Sequence, residues 1–239
     1  YTLSLHDALP IYNSSEVVDD VGVITNGLPN QVGALWSTED NLLDFKKDFN
    51  MVAYVKQTGV AGAAGDGMVF LLQGATPELK WYTYSGASMG ALGENKYKGT
   101  LGIPNSIGIE FDLYGNRSSQ DGFFDNGISG VYKNSHIAVI YPGMEAGYQD
   151  NYVLLGTSTR YVKHDNLITD VDLANGNWNR LDLHWQTNEP DFTKGVLAYQ
   201  INGGTPIIIN SEILNAQVFF KWQCINGLLG IYWINRTYI

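Results

Sequence analysis

The residues able to do chemistry concentrate in one segment. It reads Glu110-Phe111-Asp112-Leu113-Tyr114-Gly115-Asn116 and is followed by Asp121, Asp125 and His136. From Ile107 the residues alternate: Ile107, Ile109, Phe111 and Leu113 share one face, and Glu110, Asp112 and Tyr114 share the other. That period of two is the signature of a strand. It places two carboxylates at neighbouring same-face positions, where they repel, and a cation is the simplest relief. Just beyond lie more hard oxygens: the Tyr114 carbonyl, the Asn116 amide oxygen, and a carboxylate from Asp121 or Asp125. Calcium takes about 6–8 such oxygens. His136 opens the next apolar stretch and adds a nitrogen suited to a transition metal beside the calcium. His164 and His184 stand at no ligand spacing from other such groups.

The same residues admit two other readings. Acidic side chains on the outward face of a half-exposed strand, followed by Asp and Asn in a loop, are ordinary turn chemistry. Alternatively, paired carboxylates roughly 5 Å apart serve retaining glycosidases as nucleophile and acid. Laminarinase-like sandwiches carry Glu-x-Asp-x-x-Glu, and Glu110 and Asp112 match its first two positions. The acid's position holds Gly115 or Asn116, neither of which donates a proton as a carboxylic acid does, and the next Glu is Glu145. The expectation is therefore a protein that is not an enzyme.

The elements that would carry this segment are short. Gly (27) and Pro (7) are too frequent in 239 residues for long helices, and aromatic residues reach 13%. Strands are expected at Met51–Val55, Met68–Leu72, Ile107–Leu113, Ile137–Tyr141, Arg180–Gln186, Val196–Ile201 and Ile207–Ile209. Met68–Leu72 is apolar throughout, as when both faces are covered. Leu181, Leu183 and Trp185 alternate inward against Arg180, Asp182 and His184. Many short strands divided by Gly, Asn, Asp and Pro predict an all-β chain, an antiparallel β-sandwich in one domain. The net charge of −10 without a basic cluster argues against nucleic acid. No run approaches the ~18 apolar residues of a membrane span. One cysteine, Cys224, excludes a disulfide framework within the chain.

Both ends are set apart from the fold. Tyr1–Ile11 looks like a translated adapter scar, which makes His6 and Asp7 irrelevant to function. The domain is expected over 12–217. Residues 218–239 read as a frame error or truncated last strands, because Ile225–Ile239 is apolar without clean alternation. A genuine buried strand pair is the alternative.

The chemistry-bearing segment resembles the legume-type (L-type) lectin family, in particular its bacterial surface-protein branch. The family's metal motif has Glu, then Asp two later, an aromatic four later, Asn six later and Asp eleven later, matched by Glu110, Asp112, Tyr114, Asn116 and Asp121. Ala64–Gln73 resembles its Asp-Gly loop and following strand, and Gly86–Gly93 its glycine-rich loop. Gly33–Trp36 and Asp48–Phe49 resemble early strands, and Trp178–Trp185 and Val196–Ile201 late ones, so coverage runs roughly from Val21 to Asn215.

The resemblance implies a concanavalin A-like jelly roll that binds carbohydrate without catalysis. Asp66 would accept hydrogen bonds from sugar hydroxyls and follow a cis peptide at Gly65–Asp66. The Gly90 N–H would donate to a sugar oxygen, and Tyr114 and Asn116 would complete the carbohydrate site. Asp112, Tyr114, Asn116 and Asp121 would hold calcium. Glu110, His136 and Asp125 would serve a second metal such as manganese, or as alternative ligands. Glycans would be the partners, with no nucleic acid and no membrane insertion, at the cell surface or outside the cell. One departure stands out: His136 follows Asp121 by fifteen residues, not the usual five or so, which puts the second metal in question.

Overall fold

A computed structural model of the chain describes residues 8–10, 15–28, 31–37, 43–59, 65–73, 89–91, 103, 106–114, 135–140, 154–155, 159–160, 165–169, 171–209 and 226–235. Among these the strands are β1 (Ala8–Pro10), β2 (Glu16–Val18), β3 (Val21–Val23), β4 (Gln31–Ser37), β5 (Leu43–Asp44), β6 (Phe49–Thr58), β7 (Gly67–Gln73) and β8 (Ser106–Asp112). They continue with β9 (His136–Ile140), β10 (Leu154–Leu155), β11 (Thr159–Arg160), β12 (Asp165–Thr169), β13 (Asn175–Gln186), β14 (Val196–Ile201), β15 (Ile207–Ile208) and β16 (Asn226–Asn235). No helix among the described residues is long and apolar enough to cross a membrane.

Two antiparallel sheets form the body. The larger runs β1-β4-β16-β7-β8-β9-β12, with β5 also pairing β16, and the smaller runs β15-β14-β13-β6. Their inner faces make one core: Phe70, Ile109 and Phe111 from the larger sheet meet Met51, Leu183 and Tyr199 from the smaller. This is the expected sandwich. The alternating burial of β6, with Phe49, Met51, Val55 and Gln57 inside, shows the period of two directly. All positions of β7, β8 and β9 are buried, as the continuous apolar runs of β7 and β9 predict for strands covered on both faces, whereas β8 alternates in sequence and is buried on both faces all the same. Trp185 anchors one end: its Nε1 donates to the Phe45 carbonyl at 2.9 Å, and its ring meets that of Phe45 edge-on at 5.0 Å.

One expectation changes. Asp182 stands on the outward face of β13 but is buried, because Arg180 lies across it with Nη2 at 2.6 Å from its Oδ1. The C-terminal segment contains a ten-residue strand, β16, which lies between β4 and β7 near the middle of the larger sheet. Near the other end, Ala8–Pro10 pairs with Leu35–Ser37 at the sheet's edge, where a proline is tolerated.

Tyr199 gives the core a pH dependence. Burial, and then the charge of Glu110, push its hydroxyl well above the ordinary tyrosine value. A folded-state value above the unfolded one contributes stability that is complete below the unfolded value, about pH 10, and is lost as pH rises. Denaturant melts from pH 8 to 11 should therefore show an alkaline loss of up to ~1.4 kcal/mol per pH unit that Tyr199→Phe reduces. Equal slopes in the two proteins would refute the assignment.

Candidate metal and ligand centre

Strand register assembles the centre. Asp112 stands opposite His136 of β9 on one side and Gly67 of β7 on the other, while Glu110 stands opposite Ala138 and Val69. Because Glu110 and Asp112 share a face, His136 is a cross-strand neighbour of one and a diagonal neighbour of the other. One ligand atom from each of the three lies within 4.8 Å of the others. His136 Nε2 and Glu110 Oε1 are 3.1 Å apart. The fifteen-residue spacing from Asp121 to His136 thus does not keep His136 away from Glu110 and Asp112.

Burial decides between the readings of this strand. Glu110 is 1% exposed, Asp112 4% and His136 0%, so these are not solvated acids on an open face. Two buried carboxylates beside one imidazole are costly unless positive charge is supplied. Oxygen and nitrogen donors in one buried group also suit a divalent cation. The residues present therefore fit a metal.

Local hydrogen bonds and a glycine shape the strand end beside this group. Asp112 Oδ1 accepts the Tyr114 N–H at 2.6 Å, a local turn that brings the chain round just after β8. The Leu113 N–H donates to the Asp66 carbonyl at 2.7 Å and ties the Asp-Gly loop to this turn. Gly67 is required between them. Its φ is +149°, and a Cβ there would lie 2.5 Å from the Phe111 carbonyl oxygen, 2.9 Å from Asp112 Cα and 3.1 Å from Met89 Sδ. That last contact also brings in the turn at Met89 and Gly90, whose φ values are +45° and +71°. So Asp66, the Met89 side chain and Asp112–Tyr114, from three separate stretches, come together at one end of the β7–β8 pair.

The structure departs from the resemblance at Asp66. Glu189–Pro190 is the cis bond among the described residues, and Gly65–Asp66 is not cis. Gly65 reaches its place with φ +119°, a conformation open to glycine, so the loop turns without a cis bond. Asp66 is buried at 5% exposure, and Tyr114 is partly exposed. Asn116, Asp121 and Asp125 lie outside the described residues, as do Gly115, Glu145, Cys224, His164 and Val218–Phe220.

Gln57 is a contributor that motif reading overlooks. It is buried on the inner face of β6, and its Nε2 donates across the sandwich to the Phe111 carbonyl at 3.1 Å. Phe111 is the residue between Glu110 and Asp112, so this bond fixes the ligand-bearing strand against the opposite sheet. The available signal was a lone amide at an inward position of an otherwise apolar alternation.

Gly67→Ala should be severe, because the methyl would meet backbone on two sides at a φ that L residues rarely adopt. The expected loss is on the order of 2–4 kcal/mol in a urea melt. A loss below about 0.5 kcal/mol, the range of neutral surface changes, would mean the loop lies elsewhere.

Comparison with known proteins gives the fold a context. No family model matches the chain. It is 24% identical over 175 residues to the pesticidal crystal protein Cry22Aa of Bacillus thuringiensis, covering 73% of this chain and 22% of that protein. The chain thus spans about a fifth of that relative's length. Among solved structures, the lectin from Bauhinia forficata in complex with GalNAc matches with a TM-score of 0.60 at 12% identity, over 98% of this chain and 88% of that one. The Emp46p carbohydrate recognition domain, in its metal-free form, matches at 0.57 and 13%, over 98% and 82%. The exoplasmic/lumenal domain of VIP36 in a form with Ca2+ and Man3GlcNAc bound matches at 0.50 and 13%, over 98% and 78%. The chain therefore has the fold of the legume-type lectins.

Proposed function

We propose that this chain is a calcium-dependent, non-catalytic carbohydrate-binding domain. The observation that carries the reading is the buried Glu110–Asp112–His136 group, with the Asp66 backbone tied to the end of the same strand. Asp112, the Tyr114 carbonyl, Asn116 and Asp121 would hold calcium. Glu110 and His136, with Asp125 as an alternative ligand, would hold a second ion such as manganese. A bound cation would neutralise the carboxylates and fix the loop that Tyr114 begins.

The chain's own residues would then recognise a sugar. Asp66 accepts from hydroxyls, the Gly90 N–H donates to a ring or hydroxyl oxygen, Asn116 donates its amide, and the Tyr114 ring covers an apolar sugar face. A site ordered before the sugar arrives loses less entropy on binding. The lectin neighbours, which include sugar-bound and Ca2+-bound forms, support this reading. The Bacillus thuringiensis relative supports a bacterial setting, in which the domain would act in adhesion or glycan recognition at the cell surface or outside the cell.

A glycan array probed in calcium and again in excess chelator, with Asp66→Ala alongside, tests the proposal. Binding in calcium that is lost in chelator and in the variant is expected. No glycan bound in calcium would favour a structural module that kept the sandwich alone. Release of reducing sugar from a β-glucan, abolished by Glu110→Gln, would make the chain an enzyme.

A further inference from the structure

The outward face of the smaller sheet is unusual. Eight large apolar side chains are exposed among the described residues, and five of them, Val52, Tyr54, Trp178, Val196 and Ile208, stand on this face. Apolar exposure gathered on one face marks an interaction site more often than scattered exposure does.

Its centre has a defined pattern. In the β6–β13 register Trp178 is opposite Lys56, and Arg180 is opposite Tyr54. The aromatic rings thus occupy one diagonal of a four-residue square and the cations the other, with diagonal neighbours roughly 7–8 Å apart. Tyr54 is 60% exposed and Trp178 50%. Lys56 Nζ sits 5.7 Å from the Trp178 ring centroid. Arg180 is held in place by Nε and Nη2 contacts to Asp182 Oδ1, at 3.0 and 2.6 Å. Asp182 is buried and paired with Arg180, which offsets that cation, so the square is left with the single net positive charge of Lys56, in a chain of net charge −10.

We propose that this square is a second, metal-independent binding site for an acidic glycan in which a uronate alternates with a neutral sugar. The C–H face of a pyranose suits the electron-rich faces of Tyr54 and Trp178, whose ring quadrupoles are negative. The carboxylate of the neighbouring sugar suits Lys56 and Arg180. One net positive charge, with the half-exposed Arg180 guanidinium as a further hydrogen-bond donor, matches sparse charge. A nucleic-acid strand, with a phosphate at every nucleotide, needs more cations, and the chain's net negative charge opposes it. The inference uses none of the Glu110–Asp112–His136 group, so it stands or falls separately from the calcium-dependent site.

The test is calorimetric titration of the whole chain with a hyaluronan hexasaccharide in excess chelator, against oligo-dT and polyglutamate of equal charge. Hyaluronan should bind and the other two should not. Tyr54→Ala and Trp178→Ala should each weaken binding by roughly tenfold. Lys56→Gln should weaken it and reduce its salt dependence. All three positions are exposed, so melting temperatures should stay unchanged and separate lost binding from lost folding. No hyaluronan binding in chelator would overturn the proposal. So would equal binding of oligo-dT or polyglutamate, or binding indifferent to Trp178→Ala. Concentration-dependent dimerisation abolished by Trp178→Ala, without hyaluronan binding, would assign the face to a second copy of the chain.

Discussion

A chain ending at Gln217 should show no cooperative thermal transition, whereas the full chain melts as a unit. The cut removes β16, which pairs with Gln31–Trp36 of β4 on one side and Gly67–Gln73 of β7 on the other. Losing an edge strand trims a sheet, but losing this one divides it. β4 would be cut off from the β7–β8–β9 ladder, and two unpaired strand edges would face solvent as templates for aggregation. Domains hold only about 5–15 kcal/mol in total, and a central ten-residue strand exceeds that margin. Far-UV and near-UV circular dichroism during a melt would check it. A truncated chain with a native-like melt would show that 218–239 is dispensable and that the domain closes without it.

What the sequence disclosed and what it hid follow from physical range. The strands of the core were legible because alternation is local: Ile107, Ile109 and Phe111 bury together whatever they meet, and Leu181, Leu183 and Trp185 do the same. Pairing partners were not, because β16 finds β4 across about two hundred residues and β7 across about 160, and no local pattern encodes those distances. Its apolar run without alternation carries no sign of which strands it joins. At the site, same-face placement of Glu110 and Asp112 was readable from period. Their burial was not, because it depends on what covers that face. His136 was found as a residue type, but its place opposite Asp112 is a register fact. Gln57 acts through a backbone carbonyl fifty-four residues away in the chain, and backbone acceptors leave no trace in residue type.

Asp112→Asn separates a metal centre from a buried ion pair. The substitution keeps an oxygen for the Tyr114 N–H, so the turn after β8 should persist. It removes one of two buried carboxylates that repel, so the metal-free variant should melt at or above the wild-type temperature. Calcium reverses the ranking. A cation bound only to the folded state adds about 2.7 kcal/mol at a hundredfold excess over Kd. For a domain of this size that is a rise of about 5–10 °C. Wild type should gain it and Asp112→Asn should not, so the two melting curves cross over as calcium is added. A plain Glu110–His136 ion pair predicts no such crossing, because calcium would then have nothing to bind and both proteins would melt unchanged. Repeating the melt with manganese asks about the second ion. If Glu110 and His136 hold it, His136→Ala should abolish the manganese increment while leaving part of the calcium one. The nitrogen donor matters to manganese, and calcium relies on oxygens that this variant leaves in place.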